Sequence, residues 1–147
     1  MDHNSIEVLL VEDNIDDAEL TIRELKKNHL ANNLFHVTDG AEALDFIFAK
    51  GKYEAVRDIR YPPKIILLDI QMPKINGIEV LTQVKSYELT KATPVIMLTS
   101  SKEDPDIQRC YKLGANSYIV KPVNFESFTQ AIRNLGFYWL LLNQPHI

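Results

Sequence analysis

Five short apolar runs, each bounded by polar or turn residues, leave this chain few ways to fold. Residues 6–11 stop at Glu12-Asp13, and residues 34–37 are followed by the turn pair Asp39-Gly40. Residues 65–68 stop at Asp69, residues 94–98 at Thr99-Ser100, and residues 117–120 at Lys121-Pro122. Apart from Glu7, His36 and Ser117 the runs are apolar without alternation, which is the pattern of strands covered on both faces in a parallel sheet.

The stretches between the runs have helical spacing. Ile15, Ala18, Ile22 and Leu25 form one stripe, with acidic residues in front and Lys26-Lys27 behind, an order that suits the helix dipole. Ala43, Leu44, Ile47 and Phe48 outline a second helix. Ile78, Leu81 and Val84 or Lys85 mark a third, after Asn76-Gly77. Ile107, Cys110, Tyr111 and Gly114 mark a fourth, opened by Asp104-Pro105. Asn124 caps the fifth, with the stripe Phe125, Phe128, Ile132, Leu135, Trp139 and Leu142. Strands alternating with helices imply right-handed crossovers and an open, doubly wound α/β sheet. One connection, residues 50–63, exceeds the usual length of about 2–6 residues and reads as an insertion.

A chain of 147 residues fits a single domain, expected here over residues 1–147 with an apolar extension from about 136. The net charge of −4 without any basic cluster disfavours direct nucleic-acid binding. Cys110 is the only cysteine, so no internal disulfide is possible, and a reducing compartment is expected. No apolar run reaches the roughly 20 residues that span a bilayer, and the short polar N-terminus has no signal-peptide pattern. A cytoplasmic protein is therefore expected. The four histidines, His3, His29, His36 and His146, lack metal-ligand spacing and read as structural or surface residues. Cys110 lies on an apolar stripe and reads as core.

The strand ends carry the chemistry. In an open parallel sheet, ligands bind outside the carboxyl ends of the strands, near the switch in strand order. Glu12, Asp13, Asp69, Thr99 and Lys121 all fall at such ends. Converging carboxylates raise one another's pKa unless a cation compensates. Oxygen-only ligands in an incomplete cage suit Mg²⁺, which keeps waters and also holds phosphate. A carboxylate attacking phosphorus needs that cation, and a fixed ammonium, to overcome anionic repulsion. Asp69 is the best nucleophile, since it ends a central strand and precedes the exposing turn Gln71-Met72-Pro73. Thr99 and Lys121 are suited to hold phosphoryl oxygens.

The motifs resemble a response-regulator receiver over roughly residues 6–135. They are VEDN at 11–14, LLDIQMP at 67–73, NG at 76–77, PVIMLTS at 94–100, GA at 114–115, and Tyr118 through Lys121-Pro122. The resemblance implies a flavodoxin-like sheet of order 2-1-3-4-5 with five helices. It implies that Asp69 accepts a phosphoryl group from a histidine kinase or a small phosphodonor. Mg²⁺ would be held by Asp13, Asp69 and the backbone carbonyl of Gln71, with Glu12 acting through water. It further implies a cis Lys121-Pro122 bond, and Tyr118 as the aromatic partner of a moving Thr99. Signalling would pass through the face of the fourth helix, fifth strand and fifth helix, and the chain itself would not be an enzyme acting on external substrates. Two departures from the commonest pattern matter: the acidic pair is Glu-Asp, and Gln71 and Ser101 occupy the sites that tune phosphate lifetime. Gln71 also stands where a haloacid-dehalogenase-like phosphatase needs its second acid, which weakens that rival. A receiver that only binds partners, without phosphorylation, is opposed by the intact set of Asp69, Thr99 and Lys121. A flavin module is opposed by the acidic loop after the first strand, which repels phosphate.

The apolar extension Phe137, Tyr138, Trp139, Leu140, Leu141 and Leu142 exceeds what one buried stripe needs, so a homodimer interface is expected there. The insertion and this extension together resemble the receivers that accompany bacterial and cyanobacterial phytochromes, which points to a phytochrome-type kinase. Arg57, Asp58, Arg60 and Tyr61 in the insertion read as solvated loop residues.

Overall fold

The computed structural model of the chain describes residues 2–29 and 33–136. Its elements, in order, are β1 (Val8–Val11), α1 (Ile15–Lys27), β2 (Leu34–Val37), α2 (Gly40–Ile47), a 3₁₀ turn (Gly51–Tyr53), β3 (Ile65–Asp69), α3 (Gly77–Ser86), β4 (Val95–Thr99), α4 (Asp106–Lys112), β5 (Ser117–Val120) and α5 (Phe125–Leu135). All five strands are parallel in the order β2-β1-β3-β4-β5. The chain thus has the doubly wound sheet and five helices expected from its alternating runs.

Side chains alternate across the sheet. Leu9, Val11, Ile66, Leu68, Val95 and Met97 face one core, shared with α2, α3 and α4. Val8, Leu10, Ile65, Leu67, Ile96, Leu98 and Ile119 face the other, shared with α1 and α5. β1, β3 and β4 are buried throughout, which is why they lack the polar alternation of a one-sided sheet.

Four helices start on a side chain that accepts from a backbone N–H: Asn14 from Asp17 at 2.9 Å, Asp39 from Glu42 at 2.7 Å, Asn76 from Glu79 at 3.1 Å, and Asn124 from Ser127 at 2.8 Å. Each such cap stabilises a helix by about 1 kcal/mol. These caps place each helix start just beyond a strand end or its following turn. Gly77 opens α3 so close to β3 that a Cβ there would collide with the carbonyl of Asp69 and approach Ile70 Cα to 2.9 Å. Gly77→Ala therefore forces α3 away from the Asp69 backbone. The substitution is expected to cost about 3 kcal/mol, the upper end for overpacking, read as a lower urea midpoint at unchanged slope.

Three details differ from the stripes read in the sequence. Ile15 is 55% exposed, and Thr21 joins Ala18 and Leu25 on the buried face of α1, because Ile15 stands at the open strand-end rim. Tyr111 on α4 is 42% exposed, with Ile107 and Cys110 carrying the contact. Phe46 on α2 is fully buried, since the insertion covers a second face of that helix.

That cover is also where Arg57 is found, and the reading of it as a solvated loop residue is overturned. Arg57 is 6% exposed, with its guanidinium 4.5 Å from the centre of the Phe46 ring. It donates to the carbonyls of Phe46 (2.9 Å), Ile47 (3.4 Å), Tyr61 (2.8 Å) and His3 (3.3 Å), and to Asn4 Oδ1 (3.2 Å). Phe35, Phe46, Tyr53 and His3 pack as an aromatic cluster beside it. Asp58 and Arg60 form an exposed ion pair at 2.6 Å, and Tyr61 is exposed, as a loop reading expects. Cys110 is buried, and that burial pushes its thiol up to about 11. Phe137, Tyr138, Trp139, Leu140, Leu141 and Leu142 lie outside the described residues.

Candidate phosphoacceptor site

Glu12, Asp69 and Lys121 each continue the register that faces α1 and α5, two residues beyond Leu10, Leu67 and Ile119. The three side chains meet at the carboxyl rim of the sheet. Lys121 Nζ lies 3.1 Å from Glu12 Oε1 and 3.3 Å from Asp69 Oδ2. It also lies 3.1 Å from Asp17 Oδ2 on α1, a partner that no sequence pattern indicated. Carboxylate oxygens of Glu12, Asp13 and Asp69 all fall within 4.8 Å of one another. Asp69 Oδ1 accepts from the Gln71 N–H at 3.2 Å, and Glu12 Oε2 from the Asn14 N–H at 3.2 Å. The Glu12 carbonyl is bonded to His36 Nε2 at 2.8 Å, which ties β2 to the site.

Among the described residues, the charge balance of the site is short of cations. Glu12 and Asp69 are buried, while Asp13 reaches solvent. Burial pushes the Asp69 carboxyl up, and the neighbouring Glu12 pushes it further, against the pull of Lys121 and the Gln71 N–H. Burial works against the Lys121 ammonium, yet Asp69, Glu12 and Asp17 hold it above its ordinary range. One ammonium therefore serves three carboxylates, and a divalent cation beside Asp13 would relieve the remaining repulsion. The donor set, all oxygen and open on one side, fits such an ion.

Thr99 belongs to the opposite register, two beyond Met97 on the α2–α4 side. Its hydroxyl lies 3.0 Å from Asp104 Oδ2 and 3.1 Å from the Ser101 carbonyl. Tyr118 shares that side, partly buried against the same core and edge-on to Tyr111 at 6.3 Å. The Gln71 side chain reaches Asp106 on α4 at 3.4 Å. The Lys121–Pro122 peptide is cis, as the resemblance implied. No described helix is long and apolar enough to cross a membrane.

Sequence and structure comparisons identify the family and the fold. Residues 8–133 match the family model described as the response regulator receiver domain. The chain is 36% identical to the probable methanogenesis regulatory protein FilR2 of Methanothrix harundinacea, over 93% of this chain and 85% of the relative. Response regulator Rcp1 of Synechocystis sp. is 33% identical, over 90% and 88%. The Mn²⁺-bound crystal structure of Rcp1 superposes with a TM-score of 0.72 at 32% identity, covering 95% of this chain and 98% of that one. The bacteriophytochrome response regulator RtBRR superposes with a TM-score of 0.85 at 45% identity, covering 97% and 84%.

Proposed function

The chain belongs to the response regulator receiver family, and from that premise we propose that Asp69 is its phosphoacceptor, charged by a histidine kinase of the phytochrome type. The observation that carries the reading is the meeting of Glu12, Asp69 and Lys121, with Asp13 in reach, at the rim of the sheet. An Asp69 oxygen attacks the phosphorus of a phosphohistidine. The P–N bond breaks with its electron pair left on the imidazole, and an acyl phosphate forms. Lys121 balances the charge that enters, and Thr99 and Lys121 hold the phosphoryl oxygens. Asp13, Asp69 and the Gln71 carbonyl would hold Mg²⁺, with Glu12 behind them. The ion supplies neutralisation of the phosphoryl charge. Tyr118 and the surface around α4, β5 and α5 read out the change as a population shift. The kinase class is supported by the likeness to RtBRR and by the aromatic extension beyond residue 136. The homodimer expected from Phe137, Tyr138, Trp139, Leu140 and Leu141 rests on sequence, and light scattering checks it.

Intact mass after incubation with acetyl phosphate and Mg²⁺ tests the acceptor. Wild type is expected to gain one phosphoryl group, lost in Asp69→Asn and withheld by a chelator. An adduct that persists in Asp69→Asn would move the acceptor elsewhere.

A further inference from the structure

We propose that Asp104 is a latch on Thr99, a positioning residue that sets how readily the threonine turns toward a phosphoryl group. The proposal rests on Asp69 being the acceptor. A threonine hydroxyl has one proton to donate. The Ser101 N–H already donates to Thr99 Oγ1 at 3.3 Å, so that single proton goes outward, to Asp104 Oδ2 at 3.0 Å or the Ser101 carbonyl at 3.1 Å. The carboxylate makes the stronger, charge-assisted bond. Thr99 is buried, and its hydroxyl must be satisfied, but the Ser101 carbonyl alone would do that. Asp104 is thus surplus to the needs of burial, and it is anionic. A phosphoryl oxygen on Asp69 can only accept, so it competes with Asp104 for the same proton.

The other oxygen of Asp104 has a different task. Oδ1 accepts from the N–H of Asp106, the first residue of α4, at 2.9 Å. The latch therefore joins Thr99 to the start of α4 through one carboxylate. When Thr99 turns away, α4 keeps its bond to Asp104 while Asp104 loses its hold on β4.

Asp104→Asn keeps an oxygen for the Asp106 N–H and places a donating amide opposite Thr99. Asp104→Ser keeps a capping oxygen and removes the charge, and serves if the asparagine variant folds poorly. Titration of the full chain with beryllofluoride in the presence of Mg²⁺ is expected to show binding about fivefold tighter in either variant, the difference between a charged and a neutral hydrogen bond. Without beryllofluoride, the Thr99 methyl resonance is expected to shift toward its position in the saturated wild type. Glu103→Gln removes a neighbouring exposed charge that does not touch Thr99, and should bind as wild type does. In a Thr99→Ala background the gain from Asp104→Asn should vanish. The latch is overturned if wild type binds beryllofluoride and Asp104→Asn binds no tighter, or if the gain survives in Thr99→Ala as a bulk charge effect. Should wild type take up neither beryllofluoride nor phosphoryl, the acceptor reading itself falls, and the latch with it.

Discussion

Lys121→Met is expected to slow phosphoryl transfer to Asp69 by about 10²–10³-fold, the loss typical of removing one preorganised electrostatic contact. Among the described residues, Lys121 is the one cation within 3.3 Å of both Glu12 and Asp69, and those carboxylates are buried. Its methionine replacement fills the space but leaves the entering phosphoryl group facing unbalanced negative charge. The same imbalance acts before any transfer. With Lys121 gone, more of the folded state's stability depends on a bound divalent cation, and ligand linkage makes that dependence visible. Mg²⁺ should therefore raise the melting temperature of Lys121→Met by more than it raises that of wild type. Initial rates with acetyl phosphate and melting curves with and without Mg²⁺ check both parts. A variant that is phosphorylated at the wild-type rate would remove Lys121 from the reaction.

The second large effect concerns stability alone. Arg57→Met is expected to lower stability by about 3–4 kcal/mol, a melting temperature lower by roughly 10 °C. The methionine covers Phe46 as the arginine stem does, so lost apolar burial is not the cause. What is lost is the donor fork: the buried carbonyls of Phe46 and Ile47, and the partly buried one of Tyr61, lose the guanidinium that met them. Arg57→Lys should recover little, because one ammonium cannot span acceptors from α2, the loop and the N-terminal residues. These contacts sit beside residues that precede β1, at the end of the sheet away from Asp69, so phosphoryl uptake per folded molecule should be unchanged. Chemical denaturation read alongside intact mass separates the two quantities. A loss under 1 kcal/mol would mean that water replaces the fork.

Why Arg57 was not legible in the sequence follows from its surroundings. It lies in a polar loop without periodicity, and its partners are backbone carbonyls, which leave no signature in side-chain pattern. Phe46 was missed for the same reason, since a single apolar stripe on α2 does not anticipate a covering loop. The strand-end residues behave oppositely. Each apolar run ends within a residue or two of the sheet rim, so the first polar residue after it is placed by the fold itself. That is why Glu12, Asp13, Asp69, Thr99 and Lys121 could be read as one group. Asp17 and Asp104 belong to the same neighbourhood but sit on α1 and before α4. Their contacts depend on how the loops after β1 and β4 turn, which no period in the sequence encodes.

The alternation of registers has a further consequence. Asp69 and Lys121 point to the α1 and α5 side, Thr99 and Tyr118 to the α2–α4 side. On the proposed reading, the sheet separates the side from which a donor would reach Asp69 from the side on which Thr99 would leave Asp104. A protein delivering the group along α1 and a protein reading α4 would not compete for the same ground. On the same reading, whatever shifts the start of α4 would be felt at Thr99 through the shared carboxylate of Asp104.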